Sequence, residues 1–150
     1  MGPIFKFLET NFYQGYSITN VEVKSKDKSK MLFFYLNPKS EPICPNCGGG
    51  HVSVDSVKEK SIRDSDFLGS HVTLVIKSRV IHCEDCDASA DERIDFMSEH
   101  AAVTKRLEQE VMDLLKRKNG TVEIVAKRIG LDLDLCRQIQ ESCLPKAAEK

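Results

Sequence analysis

Two Cys-x-x-Cys motifs, 35 residues apart, constrain this chain more than any other feature of its sequence. They are Cys44-Pro45-Asn46-Cys47 and Cys83-Glu84-Asp85-Cys86, and each is called a knuckle below. A redox pair is the alternative interpretation, but redox pairs usually occur singly beside a βαβ pattern, which is absent from this sequence. Two knuckles supply the four thiolates that tetrahedral zinc prefers. The motifs therefore predict one closed, structural Zn²⁺ site formed by Cys44, Cys47, Cys83 and Cys86.

The remaining cysteines and histidines do not extend this site. His51 and His82 lie beside the knuckles, but four thiolates already complete the coordination shell, so we interpret both histidines as incidental. Cys136 and Cys143 fall in a helical pattern and are interpreted as small core residues. Six cysteines in this arrangement indicate reduced thiols in a cytoplasmic protein rather than a disulfide framework. The sequence also lacks a signal peptide and an apolar run long enough to cross a membrane.

The first two thirds of the chain have the alternating pattern of half-buried strands. A short apolar-aromatic helix is predicted over residues 4–15. It is followed by five strand segments, at 17–24, 31–36, 51–56, 58–64 and 69–81. The segment from 58 to 64 is predicted as a separate edge strand that follows a turn. Together these segments predict a small antiparallel sheet that carries the metal at one end.

The last third changes to helical spacing. Leu107, Val111, Leu114 and Leu115 share one helix face, with Lys116 to Lys118 in its last turn and Asn119-Gly120 at its end. Thr121 is suited to cap a second helix over residues 122–129, which Gly130 closes. Asp132 is suited to cap a third helix that runs to about Ser142 and is stopped by Pro145.

These helices have the outline of a helix-turn-helix, with an ordinary helical hairpin as the alternative. Ala126 is small where the two helices approach, and Gly130 frees the turn. Cys136 and Ile139 are expected to face back toward the preceding helix. We therefore predict an α+β chain with an N-terminal lead-in (1–43), a zinc-ribbon-like β domain (44–96), a helix-turn-helix domain (97–145) and a tail (146–150).

A helix-turn-helix would place its last helix in the major groove of DNA. Arg137 and Gln138 are the candidate base readers, with Asp134 beside them. The candidate phosphate contacts are Lys105, Arg106, Lys116, Arg117, Lys118, Lys127 and Arg128. The net charge of −1 argues against a strongly basic nucleic-acid-binding protein, although steering depends on a local patch rather than on the total.

The order of these parts resembles the N-terminal region of insertion-sequence transposases of the ISL-three type. The resembling residues are Gly15 to Val23, the knuckle C-P-N-C-G, Ile62-Arg63-Asp64, the second knuckle, Met97 to Leu107 and Thr121 to Ile139. The resemblance implies a zinc-binding segment, a helix-turn-helix that binds terminal inverted repeats, and a DDE catalytic domain after them. Two departures matter: this chain is acidic after the second knuckle, and it ends at Lys150 without room for the three catalytic carboxylates.

We therefore expect a non-enzymatic, transposase-like module of a mobile element that binds duplex DNA. The alternative is a stand-alone transposase-derived protein that binds another protein, such as an inhibitor of host or phage nucleic-acid machinery. The acidic stretch from Glu84 to Glu99 favours that alternative. The resemblance also hints at self-association, so a homodimer is among the expected partners.

Overall fold

Over the residues that the structure describes, the fold combines a strand-rich sheet with four helices in an α+β arrangement. A computed structural model describes residues 2–26, 29–118 and 120–143, and the side chains of Lys26 and Cys143 are not among those described. The predictions for Asn119, for Pro145, for the Cys143 side chain and for the 146–150 tail lie outside these residues. The elements are α1 (Pro3–Asn11), β1 (Tyr16–Lys26), β2 (Ser29–Pro38), β3 (Val52–Phe67), β4 (Ser70–Cys83), β5 (Ser89–Asp91), α2 (Lys105–Leu115), α3 (Val122–Ile129) and α4 (Leu133–Cys143).

The strands form one sheet in the order β1-β2-β4-β3. Short β5 pairs antiparallel with the end of β4, where Val80 faces Asp91 and His82 faces Ser89. Because β4 is central, its side chains are mostly buried, as the apolar run of its sequence indicates. β4 ends at Cys83, so the sheet delivers the second knuckle.

The predicted break between strands 51–56 and 58–64 was wrong. β3 is a single strand of 16 residues, and its residues 53–59 are all exposed. The polar run that suggested a turn is tolerated because β3 stands at the end of the strand order, where side chains face water. The exposed polar residues of this edge strand therefore led to the prediction of two short strands in place of one long strand.

β3 and β4 are joined by a two-residue turn, Leu68-Gly69. Both residues have positive φ, 52° for Leu68 and 77° for Gly69. A two-residue hairpin turn with positive φ at both positions is the I′ kind, whose twist matches the flanking strands. Asn-Gly or Asp-Gly usually occupies this turn, so leucine at the first position gave no hairpin signal.

The chain divides into two compact units. The knuckle unit comprises residues 1–22, 33–61 and 74–96, and it contains both knuckles. The helical unit comprises residues 23–32, 62–73 and 97–150, and it contains α2, α3 and α4. The predicted domain boundaries at residues 43, 96 and 145 stay a prediction.

The knuckle unit has an aromatic core. Tyr13 is 1% exposed and Phe34 is 2% exposed, and their ring centroids lie 6.3 Å apart. Phe96 lies 5.5 Å from the rings of both Tyr13 and Tyr16. Burial raises the pKa of the Tyr16 hydroxyl to about 12, and the Glu92 carboxylate adds to that shift. These ring contacts, which are edge-on for Tyr13–Phe34 and Tyr16–Phe96 and tilted for Tyr13–Phe96, hold the loop after α1 against β2 and the segment after β5.

The helical unit has an aliphatic core. It is built from Ala101, Val103, Leu107, Val111, Leu115, Val122, Val125, Ala126, Ile129, Leu131, Cys136 and Ile139. The predicted facing of Cys136 and Ile139 is confirmed, because both are fully buried in this cluster. Periodicity predicted this core well because amphipathic helices bury one face.

Helix caps follow the sequence closely. The Thr121 side chain accepts from the Ile124 N–H at 3.2 Å, and Gly130 ends α3 with φ of 75°. Asp132 accepts from the Asp134 N–H at 3.3 Å at the start of α4. The placement of Lys116 to Lys118 in the last turn of α2 was wrong, since α2 ends at Leu115 and Lys116 is its C-cap.

Candidate functional site

The four knuckle cysteines converge on one point. All four Sγ atoms lie within 4.8 Å of one another. Cys44 Sγ is 3.6 Å from Cys86 Sγ, and Cys47 Sγ is 3.6 Å from Cys83 Sγ. Zinc–sulfur bonds of about 2.3 Å in a tetrahedron place sulfurs about 3.8 Å apart, so these separations fit one zinc ion.

The two knuckles share a backbone design. The residue after each second cysteine has positive φ, 76° for Gly48 and 52° for Asp87. In the first knuckle, the Gly48 N–H donates to the Cys44 carbonyl at 2.9 Å, which closes the turn. The left-handed conformation at Asp87 was not predicted from the sequence, because aspartate is a less obvious signal for a left-handed residue than glycine.

Backbone N–H groups favour the thiolate form of Cys44, the first cysteine of the cluster. The N–H groups of Cys47 and Asn46 point at Cys44 Sγ, at 3.4 and 3.3 Å. They lower the pKa of the Cys44 thiol to about 6, with the Cys47 N–H as the largest cause. For Cys47, the Gly49 N–H lowers the pKa, but the neighbouring thiols of Cys83 and Cys44 raise it to about 11. A divalent cation among these sulfurs would offset that repulsion, so the donor set fits zinc electrostatically as well as geometrically.

The neighbouring histidines have partners outside the sulfur cluster. His51 Nδ1 lies 3.3 Å from an Asp85 carboxylate oxygen, and His82 Nδ1 lies 3.0 Å from the Ser89 hydroxyl. Among the described residues, the group of potential metal ligands is the four cysteines. The chemistry is therefore that of one structural zinc, held by four thiolates without an open coordination position.

A second constellation lies in the helical unit, where α3 and α4 are joined by the three residues Gly130 to Asp132. A Cβ built on Gly130 would lie 2.5 Å from His71 Cε1, so a side chain at residue 130 would collide with the imidazole. Arg63 Nη1 also donates to the Gly130 carbonyl at 2.7 Å. The turn between the helices is thus fixed by glycine and by two side chains from the β3–β4 hairpin.

Asp64 ties α2 to the same hairpin. Its carboxylate is fully buried and accepts from the Thr104 hydroxyl at 2.6 Å. Arg106 completes a bidentate pair with it, at 2.8 Å for Nε and 2.7 Å for Nη2. The Thr104 hydroxyl also accepts from the Leu107 N–H at 3.3 Å, so it caps α2 while it donates to Asp64. This role of Asp64 was not predicted from the sequence, because Thr104 and Arg106 are about 40 residues away along the chain.

All ten residues proposed from the sequence for DNA contact belong to the helical unit. Nine of them are exposed, namely Arg137, Gln138, Asp134, Lys127, Arg128, Lys105, Lys116, Arg117 and Lys118. Arg106 differs, because it is half-buried and its guanidinium is paired with Asp64. Arg137 lies 3.9 Å from Glu123 and 4.0 Å from Asp134. Their contact with DNA stays a prediction.

Comparison with known proteins supports the interpretation of the four-cysteine cluster as a zinc site. Residues 40–86 match the family model described as the zinc-finger of transposase IS204/IS1001/IS1096/IS1165, and this segment includes both knuckles. The chain resembles the N-terminal zinc-binding region of ISL3-type transposases. The structural zinc predicted from the cysteine spacing is thereby confirmed at the level of the family and the four-sulfur cluster.

A curated relative extends the likeness beyond the knuckles. The transposase for insertion sequence element IS1001 from Bordetella parapertussis is 30% identical over 116 residues, which cover 77% of this chain. The same match covers 28% of the relative, so this chain corresponds to less than a third of that transposase. No solved structure gives a significant match. Among the described residues, no helix has the length and apolar character needed to cross a membrane.

Proposed function

We propose that this chain is a non-enzymatic, cytoplasmic DNA-binding module in which the helical unit contacts duplex DNA. The observation that carries the proposal is the charge division between the two units. The helical unit has fifteen Lys and Arg against twelve Asp and Glu, whereas the knuckle unit has seven against eleven. A chain with net charge −1 thus has its basic excess in the helical unit, where four of the fifteen basic residues lie at 24–30 and ten lie at 97–150, the segment that contains α2, α3 and α4.

The α3–turn–α4 pair has the features of a helix-turn-helix. Its turn is three residues long and begins with a left-handed glycine, and Ala126, Cys136 and Ile139 form the buried side of the pair. The opposite side of α4 presents Arg137 and Gln138 to solvent. In our proposal α4 enters the major groove, and Lys127 and Arg128 on α3 contact phosphates.

The carboxylates near Arg137 have a defined consequence in this proposal. Glu123 and Asp134 lie at the outer limit of ion pairing with its guanidinium, at 3.9 and 4.0 Å, and all three side chains are exposed. Surface pairs of this kind contribute little, so DNA can exchange them for a guanine edge at small cost. The acidic residues would then disfavour nonspecific phosphate contact and make base reading more selective.

The test is selection followed by titration. The chain is used to enrich duplexes from a random-sequence library, and the recovered duplex is titrated with the unaltered chain and with Arg137→Ala. We expect an enriched sequence and a loss of about 1–3 kcal/mol in specific binding for Arg137→Ala. The matched control is Arg93→Ala, because Arg93 is an exposed arginine of the knuckle unit that pairs with nearby Asp95. No enrichment at low salt would overturn the proposal.

A further inference from the structure

Leu68, at the first position of the β3–β4 turn, is both exposed and conformationally disfavoured. It is 87% exposed, the highest value among the large exposed hydrophobic residues described. Its φ of 52° lies in the left-handed region, where a branched aliphatic side chain is rare. Asparagine would fit the same turn without strain and without apolar exposure. Strain of this kind often marks a functional position, which makes Leu68 a candidate for one.

The tip that carries Leu68 is held firmly. His71 Nδ1 lies 2.9 Å from an Asp66 carboxylate oxygen, and this pair bridges the two strands just below the turn. One step further down, Arg63 Nε donates to the Val72 carbonyl at 3.3 Å. These cross-strand contacts fix the direction in which the tip points, so Leu68 is presented on a braced hairpin.

The same residues connect the tip to the helix pair. Arg63 donates to the Gly130 carbonyl at 2.7 Å, and the His71 imidazole packs where a Gly130 side chain would stand. Gly130 begins the turn between α3 and α4. These contacts hold the hairpin tip beside the turn between α3 and α4 within the helical unit, so Leu68 lies close in space to the start of the helix pair.

We propose that Leu68 is an apolar wedge that inserts between base pairs of the duplex bound by the helical unit. Proteins that kink DNA insert single aliphatic side chains into a base step in this way. A protein partner would require a contiguous apolar patch, but of the residues that flank the turn Phe67 is half-buried and Ser70 is buried, and the next residues outward, Asp66 and His71, are polar. The inference rests on the proposed DNA-binding function.

The test uses the full chain and the duplex recovered by selection, labelled with 2-aminopurine at successive positions and with a dye pair at its ends. The deciding variant is Leu68→Asn, with Leu68→Met as the variant that keeps the wedge. We expect Leu68→Asn to raise the Tm by a few degrees, because the turn becomes Asn-Gly. We also expect it to weaken binding about tenfold and to abolish both the 2-aminopurine fluorescence rise and the bend. Leu68→Met should retain all three DNA signals.

The control is Val57→Thr, because Val57 is 55% exposed but belongs to the knuckle unit. It should leave affinity and both fluorescence signals unchanged. Equal affinity, bending and 2-aminopurine fluorescence for Leu68→Asn and the unaltered chain would overturn the wedge while leaving the DNA-binding function standing. Failure of the unaltered chain to select any duplex would overturn both proposals.

Discussion

Each of the two units of this chain is stabilised internally in a different way. In the knuckle unit the long segment between β2 and β3 is organised by four sulfurs around one zinc site, in a unit with an excess of acidic residues. In the helical unit, three amphipathic helices close an aliphatic core, and the buried Asp64 carboxylate fastens α2 to the β3–β4 hairpin. The difference teaches that metal replaces apolar burial in the segment 39–51, where Cys44 is the buried residue, and that the excess of basic residues belongs to the unit without the zinc site.

Removal of zinc is expected to have the largest effect, and we expect it to unfold part of the knuckle unit while the core of the helical unit stays folded. Structural zinc contributes about 10–16 kcal/mol in small zinc modules at neutral pH, so a chelator or Cys83→Ser should unfold the knuckles. We expect amide NMR signals of residues 44–50 and 83–88 to collapse, while methyl signals of the helical core persist. Cys136→Ala should still bind one zinc per chain. Intact knuckle signals in metal-free protein would show that the two units do not differ in this way.

Loss of the buried carboxylate should be the largest change in the helical unit. Asp64→Ala removes the acceptor of the Thr104 hydroxyl and leaves the Arg106 guanidinium without its bidentate partner. Breaking a buried ion pair from one side costs about 3–5 kcal/mol, and we expect the lower end because Arg106 is partly exposed. Denaturant unfolding followed at 222 nm measures the change. Asp113→Ala, on the exposed face of α2, is the matched control and should change stability by less than about 0.5 kcal/mol.

The turn between α3 and α4 should come next. Gly130→Ala forces a side chain into a left-handed residue and against the His71 imidazole, so we expect a loss of about 2 kcal/mol. Adding His71→Ala should recover the part that comes from the collision and leave the part that comes from φ. Gly50→Ala is the control, since a Cβ there meets nothing within 4 Å and its φ is not positive. Equal Tm values for Gly130→Ala and the unaltered chain would contradict the described turn.

The smallest effect concerns the core cysteine. Burial raises the pKa of the Cys136 thiol, with a further contribution from the Asp132 carboxylate, so at neutral pH it stays protonated and unreactive. Cys136→Ala should cost about 1 kcal/mol. Mass spectrometry after brief alkylation should find Cys136 unmodified in the folded chain. Fast alkylation of Cys136 would mean that the helical core opens more readily than its packing indicates.

Local sequence signals predicted the parts of the fold that depend on local chemistry. The cysteine spacing predicted the sulfur cluster, and Thr121, Gly130 and Asp132 marked the ends of α3 and α4 as observed. The interactions of Arg63 and Asp64 were not predictable in this way, because their partners lie about 40 to 70 residues away and pair only after folding. The length of β3 was missed since an exposed edge strand need not alternate apolar and polar residues.

The most direct test of the central claim compares basic residues of the two units on the selected duplex. Affinity is measured between about 50 and 200 mM salt for the unaltered chain, for Lys127→Ala/Arg128→Ala, and for Lys6→Ala/Lys77→Ala. All four residues are exposed, but the first pair belongs to the helical unit and the second pair to the knuckle unit. We predict that the helical-unit variant makes the negative slope of log affinity against log salt shallower by about 1.8, because two phosphate contacts are lost, and that the knuckle-unit variant leaves it unchanged. An equal slope for all three proteins would contradict the assignment of DNA binding to the helical unit.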